Sequence, residues 1–416
     1  MSIERNTGFY MLNTITRMVA FAALALSFAA GAQTPTLNPT PNPPAAMPTP
    51  AAPQLGASNY ILVDFHSGRT LVDHNADERA DIASMTKLMT TYVVFQELAR
   101  GNIALGDVVP VSEKAWRTGG SRMFIEPGMQ VTVEDLILGI VIQSGNDACV
   151  AMAEFLAGTE DAFAGVMNHY AEQLGMNNSH FMNSTGLPDE NHYSTARDMA
   201  ILSAAIIREF PEQYAWFSQK EFTFNDIRQH NRNNLLWRDP AVDGLKTGHT
   251  EAAGYCLAAS AKRDGMRLIS VVMGSASEQS RASESQGLLN YGFRFFETVQ
   301  LYKAGDELAR ARVWKGEGEE VGIGIGQDLF VTIPRGRYDD LEARVELPPT
   351  LEAPIEAGQS LGRLTVALDG ETVVDQGLQA LAAVEQAGFF GRSWDSTRLW
   401  VGGLFGGDDE EDADDE

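Results

Sequence analysis

The sequence predicts an α/β protein of the α+β type: an antiparallel sheet flanked by helices, then a small C-terminal all-β domain and a C-terminal amphipathic segment. Three observations predict it. Strand patterns stand at both ends of the stretch 57–296, with helical patterns between them. From 297 to 387 the pattern changes to short alternating segments separated by Pro and Gly turns. With 44% hydrophobic residues in 416, the chain can also bury a sizeable core.

In chain order, Tyr60-Ile61-Leu62-Val63-Asp64 reads as a strand, Ser67-Gly68 as a turn, and Thr70-Leu71-Val72 as the hairpin partner. Helical periodicity follows at 84–99, 133–142, 147–157, 161–174 and 195–208. Strands return at 253–260 and 266–273, joined by a turn at Arg263-Asp264-Gly265, and a last helix covers 279–296. In the second domain, Leu329 to Ile333, Leu341 to Leu347 and Leu361 to Leu368 read as strands.

The ends read differently. Arg5 and Arg17 precede the apolar run Met18 to Ala30, and Ala30-Gly31-Ala32 offers a cleavage site, so residues 1–32 read as a signal peptide. The run is short for a membrane-spanning helix. Residues 33–56 form a linker, with eight of the chain's 17 prolines. Residues 388–407 place Phe390, Trp394, Thr397 and Val401 on one helical stripe, an interfacial segment too interrupted to span a bilayer. Residues 408–416 are an acidic, disordered tail.

The formal charge of −25 argues against a nucleic-acid partner. Much of that charge sits at the edge, because the last nine residues carry eight acids. Two cysteines rule out a disulfide scaffold; Cys149 and Cys256 read as buried free thiols, although export would allow them to pair. The seven histidines form no metal-binding pattern, so no metal is expected.

Three short elements carry chemistry. Ser84-Met85-Thr86-Lys87 opens a helical pattern, and the i to i+3 spacing brings hydroxyl and amine to one face, within reach of proton exchange. The same residues also describe an N-capping serine and a solvated lysine. Ser144-Gly145-Asn146 lies between two apolar runs, either as a polar insertion with a purpose or as an ordinary interhelical turn. Lys246-Thr247-Gly248-His249 precedes a strand, and its lysine could be a solvent-facing edge residue.

In the order S-x-x-K, S-x-N, K-T-G, the three resemble the motif set of the penicillin-recognising serine enzymes. More narrowly, the chain resembles the low-molecular-mass penicillin-binding proteins that act as D-alanyl-D-alanine carboxypeptidases. Residues Ala83 to Thr90, Gln143 to Cys149 and Val242 to Thr250 carry the likeness. So do His230 to Asn233 with Leu235-Leu236-Trp237, Gly186-Leu187 with Ser194-Thr195-Ala196, and Leu329 to Arg337.

The resemblance implies a β-lactamase/transpeptidase-like catalytic domain over 57–296 and a β-rich second domain over 297–387. It implies Ser84 as nucleophile, Lys87 as its base, and Ser144 with Lys246 as the relay to the leaving amine. Asn146, Thr247, Gly248 and His249 would bind substrate, with Arg281 as the charge partner of the terminal carboxylate and Arg232 as a further site arginine. No cofactor is implied. Peptidoglycan stem peptides would be the substrates and β-lactam antibiotics covalent inhibitors. The family's anchoring habit implies that the C-terminal segment meets the inner-membrane surface, on the periplasmic face. Rival expectations are a D,D-endopeptidase, a weak β-lactamase and, more remotely, a non-catalytic wall-binding protein. No Glu-x-x-Leu-Asn context of a class A β-lactamase stands between Asn146 and Lys246.

Overall fold

The computed structural model describes residues 48–388. The expected signal peptide, most of the expected linker and the segments beyond residue 388 lie outside the described residues. The described residues divide into two compact units, one built from 48–301 with 330–339, the other from 302–329 and 340–388.

The first unit is organised on a five-stranded sheet. Its strands are β1 (Asn59–Asp64), β2 (Thr70–His74), β7 (Val242–Thr250), β8 (Gly254–Arg263) and β9 (Met266–Ser275), in the order β2-β1-β9-β8-β7. Every pairing whose register is given is antiparallel. Short pairs lie outside it: β3 (Val108–Pro110) with β4 (Gln130–Thr132), and β5 (Glu221–Phe224) with β6 (Ile227–His230).

Successive side chains on a strand face opposite ways, so a sheet covered on both sides needs apolar residues at nearly every position. β1, β8 and β9 meet that need. Tyr60, Leu62, Leu257, Ala259, Leu268 and Val272 enter one core, with Leu288, Leu289 and Phe293 of the helix α7 (Glu278–Phe295). Their neighbours Ile61, Cys256, Ala258, Ile269 and Val271 enter the other. That second core is shared by α1 (Lys87–Ala99), α4 (Asn146–Ala157), α5 (Glu160–Gln173) and α6 (Ala196–Glu209). Residues Lys87 to Phe95 of α1 are buried without a break, the signature of a helix inside its domain.

The second unit holds a six-stranded sheet in the order β14-β16-β17-β12-β11-β15. Its strands are β11 (Glu307–Trp314), β12 (Glu320–Gly324), β14 (Leu341–Glu346), β15 (Leu351–Glu352), β16 (Ser360–Leu368) and β17 (Glu371–Ala380). β14 alternates strictly between buried and exposed residues, as expected of a sheet with one face on a core. β10 (Phe296–Tyr302) and β13 (Leu329–Pro334) pair with each other, and residues 330–339 pack with the first unit.

Several elements went unread in the sequence, among them β3, β4 and the β5–β6 hairpin. The helix expected over 133–142 is a short α3 (Val133–Leu138) that widens into a π-turn over Gly139–Gln143. Cys149 and Cys256 are both free and buried, and burial pushes their thiols up to about 12 and about 11, far from thiolate formation.

Candidate active site

Ser84 stands in a 3-10 turn (Ala83–Thr86) that runs into the buried helix α1. It caps no helix: neither Ile82 nor Thr86, the residues at the two N-cap positions, makes a side-chain cap, and Ala83 takes a left-handed φ of 46° to set up the turn. The solvated lysine is also excluded. Lys87 is fully buried, and Nζ donates to Ser84 Oγ at 2.8 Å, Asn146 Oδ1 at 2.7 Å and the Thr185 carbonyl at 2.7 Å. Three acceptors match the three donors of an ammonium. Burial, opposed by Cys149 and assisted by the Arg232 charge, lowers the Lys87 pKa to about 8. A lysine so placed exchanges its proton near neutrality, which the serine requires.

Ser144 and Asn146 arrive where the π-turn hands over to α4. Ser144 sits in the left-handed region at φ 65°, closing the π-turn, and its buried Oγ has no hydrogen-bond partner among the described residues. Such an orphaned hydroxyl is costly unless it has work to do. Asn146 faces both ways: Oδ1 accepts from Lys87 while Nδ2 donates to the Gly119 carbonyl at 2.6 Å.

The third element lies on β7, the sheet edge beside the Ser84 turn. The approach is close, because a Cβ on Gly248 would stand 2.6 Å from the Ile82 carbonyl. Lys246, on an edge strand, is nevertheless 3% exposed, and Nζ donates to the Thr247 carbonyl at 3.2 Å. Burial first, then the charges of Lys87 and Arg232, lower its pKa well below the ordinary lysine value. His249 is exposed and packs on Tyr255 with ring centroids 4.0 Å apart. The Arg281 guanidinium lies over the same Tyr255 ring, and Nη1 donates to the Gly248 carbonyl at 3.3 Å. Arg281 thus supports the backbone of the K-T-G strand directly. Arg232 is exposed, and its carbonyl accepts from Arg281 Nη2 at 3.5 Å. Ser84, Lys87 and Asn146 are joined by hydrogen bonds; Arg281 ties Gly248 to Arg232.

Sequence reasoning missed the supports. Asn231 and Asn233 flank Arg232 and pin its loop: Asn231 Nδ2 donates to the Gln219 carbonyl at 2.9 Å, and Asn233 Nδ2 to the Gly244 carbonyl of β7 at 3.0 Å. Asp147 accepts from the N–H groups of Met123, Phe124 and Ile125, and His192 reaches Thr86. Asn231, Asn233 and Asp147 stand inside the blocks that carried the resemblance, but nothing in their spacing announces these bonds. His192 carries no signal in the sequence.

A serine opening a buried helix, a buried lysine amine on its hydroxyl, and a second buried lysine on the neighbouring sheet edge define a penicillin-recognising serine enzyme. Residues 46–277 match the D-alanyl-D-alanine carboxypeptidase family, and residues 296–386 match the C-terminal domain of penicillin-binding protein 5. The chain is 45% identical over 398 residues to the D-alanyl-D-alanine carboxypeptidase DacA of Escherichia coli (strain K12), spanning 94% of this chain and 97% of that one. It is 46% identical over 400 residues to DacC of the same organism, spanning 93% and 100%. Penicillin-binding protein 5 from Haemophilus influenzae shares the fold with a TM-score of 0.79 and 45% identity, over 81% of this chain and 99% of that structure. The chain belongs to the D-alanyl-D-alanine carboxypeptidase family and is a serine-type carboxypeptidase.

Proposed function

We propose that the protein removes the terminal D-alanine from peptidoglycan stem pentapeptides through an acyl-enzyme on Ser84, and that penicillin acylates the same hydroxyl. The observation that carries the reading is the buried Lys87 amine, 2.8 Å from Ser84 Oγ, with its pKa lowered to about 8. Lys87 takes the hydroxyl proton as Oγ attacks the carbonyl carbon of the penultimate D-alanine. The backbone N–H groups of Ser84 and His249 face the developing oxyanion, each such donor being worth about 3–4 kcal/mol. Ser144 and Lys246 pass a proton to the leaving amine as the C–N bond breaks, and water then cleaves the ester. Asn146 holds the acyl-side amide; Thr247, Gly248 and His249 line the path of the terminal D-alanine. Arg281 and Arg232 supply the positive field that its carboxylate meets.

The division into a catalytic domain over 57–296 and a β-rich domain over 297–387 belongs to the same reading. So does export through residues 1–32 to the periplasmic side of the inner membrane, with residues 388–407 lying on its surface. Among the described residues no helix is long and apolar enough to cross a membrane. Deleting residues 389–416 and fractionating cells tests the surface contact, which is lost if this reading holds.

Labelled penicillin tests the chemistry. The label maps to the peptide holding Ser84, is absent from Ser84→Ala, and free D-alanine appears from a D-Ala-D-Ala peptide. A label that persists in Ser84→Ala defeats the assignment.

A further inference from the structure

Asp243 stands out of register on β7. Against β8, Val242 lies opposite Ala261 and Gly244 opposite Ser260, so Asp243 is the extra residue of a β-bulge. A bulge re-aims the side chain it carries. Here the carboxylate meets Arg267 of β9: Nη1 donates to Oδ1 at 2.8 Å and Nη2 to Oδ2 at 2.7 Å. The same Nη1 donates to Ser260 Oγ of β8 at 2.6 Å, so the guanidinium crosses β8 and fastens β9 to β7. Tyr214, in the helical turn Pro211–Tyr214, is buried and donates its hydroxyl to Asp243 Oδ1 at 2.5 Å.

This pair is not an ordinary surface ion pair. Arg117 and Glu113, on the short helix α2 (Glu113–Arg117), pair at 3.0 Å with side chains 68% and 69% exposed, and such solvated pairs contribute little. The Arg267 and Asp243 side chains are 12% and 30% exposed, and both carboxylate oxygens are engaged in the planar fork. Such a fork fixes orientation as well as distance.

The clamp lies on the face of β7 that carries Lys246. Side chains two apart on a strand share a face, so positions 244, 246 and 248 point one way. Gly248 shows where: a Cβ there would stand 2.6 Å from the Ile82 carbonyl, in the approach to Ser84. At position 244 the same face is covered by Tyr214, whose hydroxyl would lie 2.8 Å from an added Cβ. Lys246 comes between these two close approaches. Its Nζ donates to the Thr247 carbonyl of its own strand, so the amine follows wherever β7 is set.

We propose, resting on the carboxypeptidase reading above, that Asp243, Arg267 and Tyr214 are positioning residues. They set the register of β7 and, through it, hold the Lys246 amine where a leaving amine takes its proton.

The experiment separates placement of Lys246 from general damage. An amine must be protonated as it leaves, whereas a thiolate leaves without a proton. The substrates are Nα,Nε-diacetyl-L-lysyl-D-alanyl-D-alanine and the matching thioester, in which thioglycolate replaces the last D-alanine and keeps its carboxylate. In Asp243→Asn, kcat/KM for D-alanine release falls by about tenfold or more, while that for thiol release changes by less than about threefold. Tyr214→Phe leaves the ion pair in place and shifts the ratio the same way by less. Arg267→Lys, which cannot span both oxygens, retains part of the wild-type ratio. Thiol release counts the folded enzyme in each sample, so a variant that folds poorly still reports its ratio. Parallel losses on both substrates, or a ratio unchanged in all three variants, overturn the positioning role while wild-type D-alanine release leaves the carboxypeptidase reading standing. A wild type that releases no D-alanine overturns that reading and the positioning role with it.

Discussion

His192 Nε2 stands 2.7 Å from Thr86 Oγ1, which ties a buried imidazole to the turn that carries Ser84. The direction of the bond follows from its neighbours. Nδ1 accepts from the Met182 N–H at 3.2 Å, so Nε2 carries the proton and donates it to Thr86. Thr86 Oγ1 in turn donates to the Ala83 carbonyl at 2.8 Å, immediately before Ser84. The chain of bonds requires a neutral histidine, and burial supplies one by lowering the His192 pKa to about 4.

Acid sensitivity follows from that shift. With a folded pKa of about 4 against an ordinary 6.5, the unfolded chain binds the extra proton first as pH falls. Stability therefore declines as pH drops from about 6.5 to about 4, by at most roughly 3 kcal/mol from this residue. Thermal melting between pH 7 and 4.5 measures it. His192→Gln should flatten the acid limb of the curve; an unchanged limb means that other groups set it.

The second pH dependence belongs to the lysines. The Lys87 charge lowers the affinity of Lys246 for a proton, and the Arg232 charge lowers that of both, so the rate reports a coupled set rather than one group. Acylation by penicillin should rise with pH through a midpoint near 8 as Lys87 becomes neutral. Arg232→Ala removes a cation that opposes protonation, so its midpoint moves to higher pH. Stopped-flow acylation across pH 6–10 decides the matter, and a midpoint that moves downward contradicts the electrostatic argument.

What the sequence disclosed, it disclosed through period and order. β1, β8 and β9 were readable because a sheet buried on both faces leaves nearly unbroken apolar runs. Ser84, Lys87, Ser144, Asn146 and Lys246 were readable because three short patterns stood in a fixed order. The β5–β6 hairpin was not, since each strand has only four residues: Phe222 and Phe224 alternate with exposed Glu221 and Thr223 in β5, but β6 buries only Gln229 and exposes Ile227, Arg228 and His230. The π-turn was hidden for another reason: Gly139 to Gln143 has the apolar content of any buried helix, and only tertiary packing reveals the wider turn. The support that Arg281 gives β7 was not legible, because its bond to the Gly248 carbonyl joins residues far apart in sequence that no local pattern encodes.

Gly186 sets a steric limit on the same turn. Its φ is +82°, and a Cβ there would stand 1.9 Å from the Ala83 carbonyl oxygen. Gly186→Ala must strain its own backbone, by about 1–2 kcal/mol, and displace the residue preceding Ser84 as well. Gly158 offers the control, with a φ of +77° and no atom within 4 Å of the added carbon. Both variants should melt lower, but only Gly186→Ala should also slow acylation. Equal acylation rates in the two would remove Gly186 from any part in placing Ser84.

Asp147 ties a loop to the S-x-N turn. The loop 119–125 is fastened to the S-x-N turn by Asn146, which donates from Nδ2 to the Gly119 carbonyl at 2.6 Å and from its N–H to the Ser121 carbonyl at 2.7 Å. The adjacent carboxylate completes the attachment. Asp147 Oδ1 accepts from the Met123 N–H at 3.0 Å, and Oδ2 from the N–H groups of Phe124 and Ile125 at 2.9 and 3.3 Å. Asp147 is wholly buried, so water cannot take its place without the loop opening. Asp147→Ala therefore leaves several buried donors unmatched and should cost about 3–5 kcal/mol in chemical denaturation. Asp147→Asn keeps one carbonyl acceptor and should lose less. Because Asn146 hangs on the same loop and accepts from Lys87, penicillin acylation should slow in the order wild type, Asn, Ala. An alanine variant with wild-type stability would show that Asp147 is not what holds the loop.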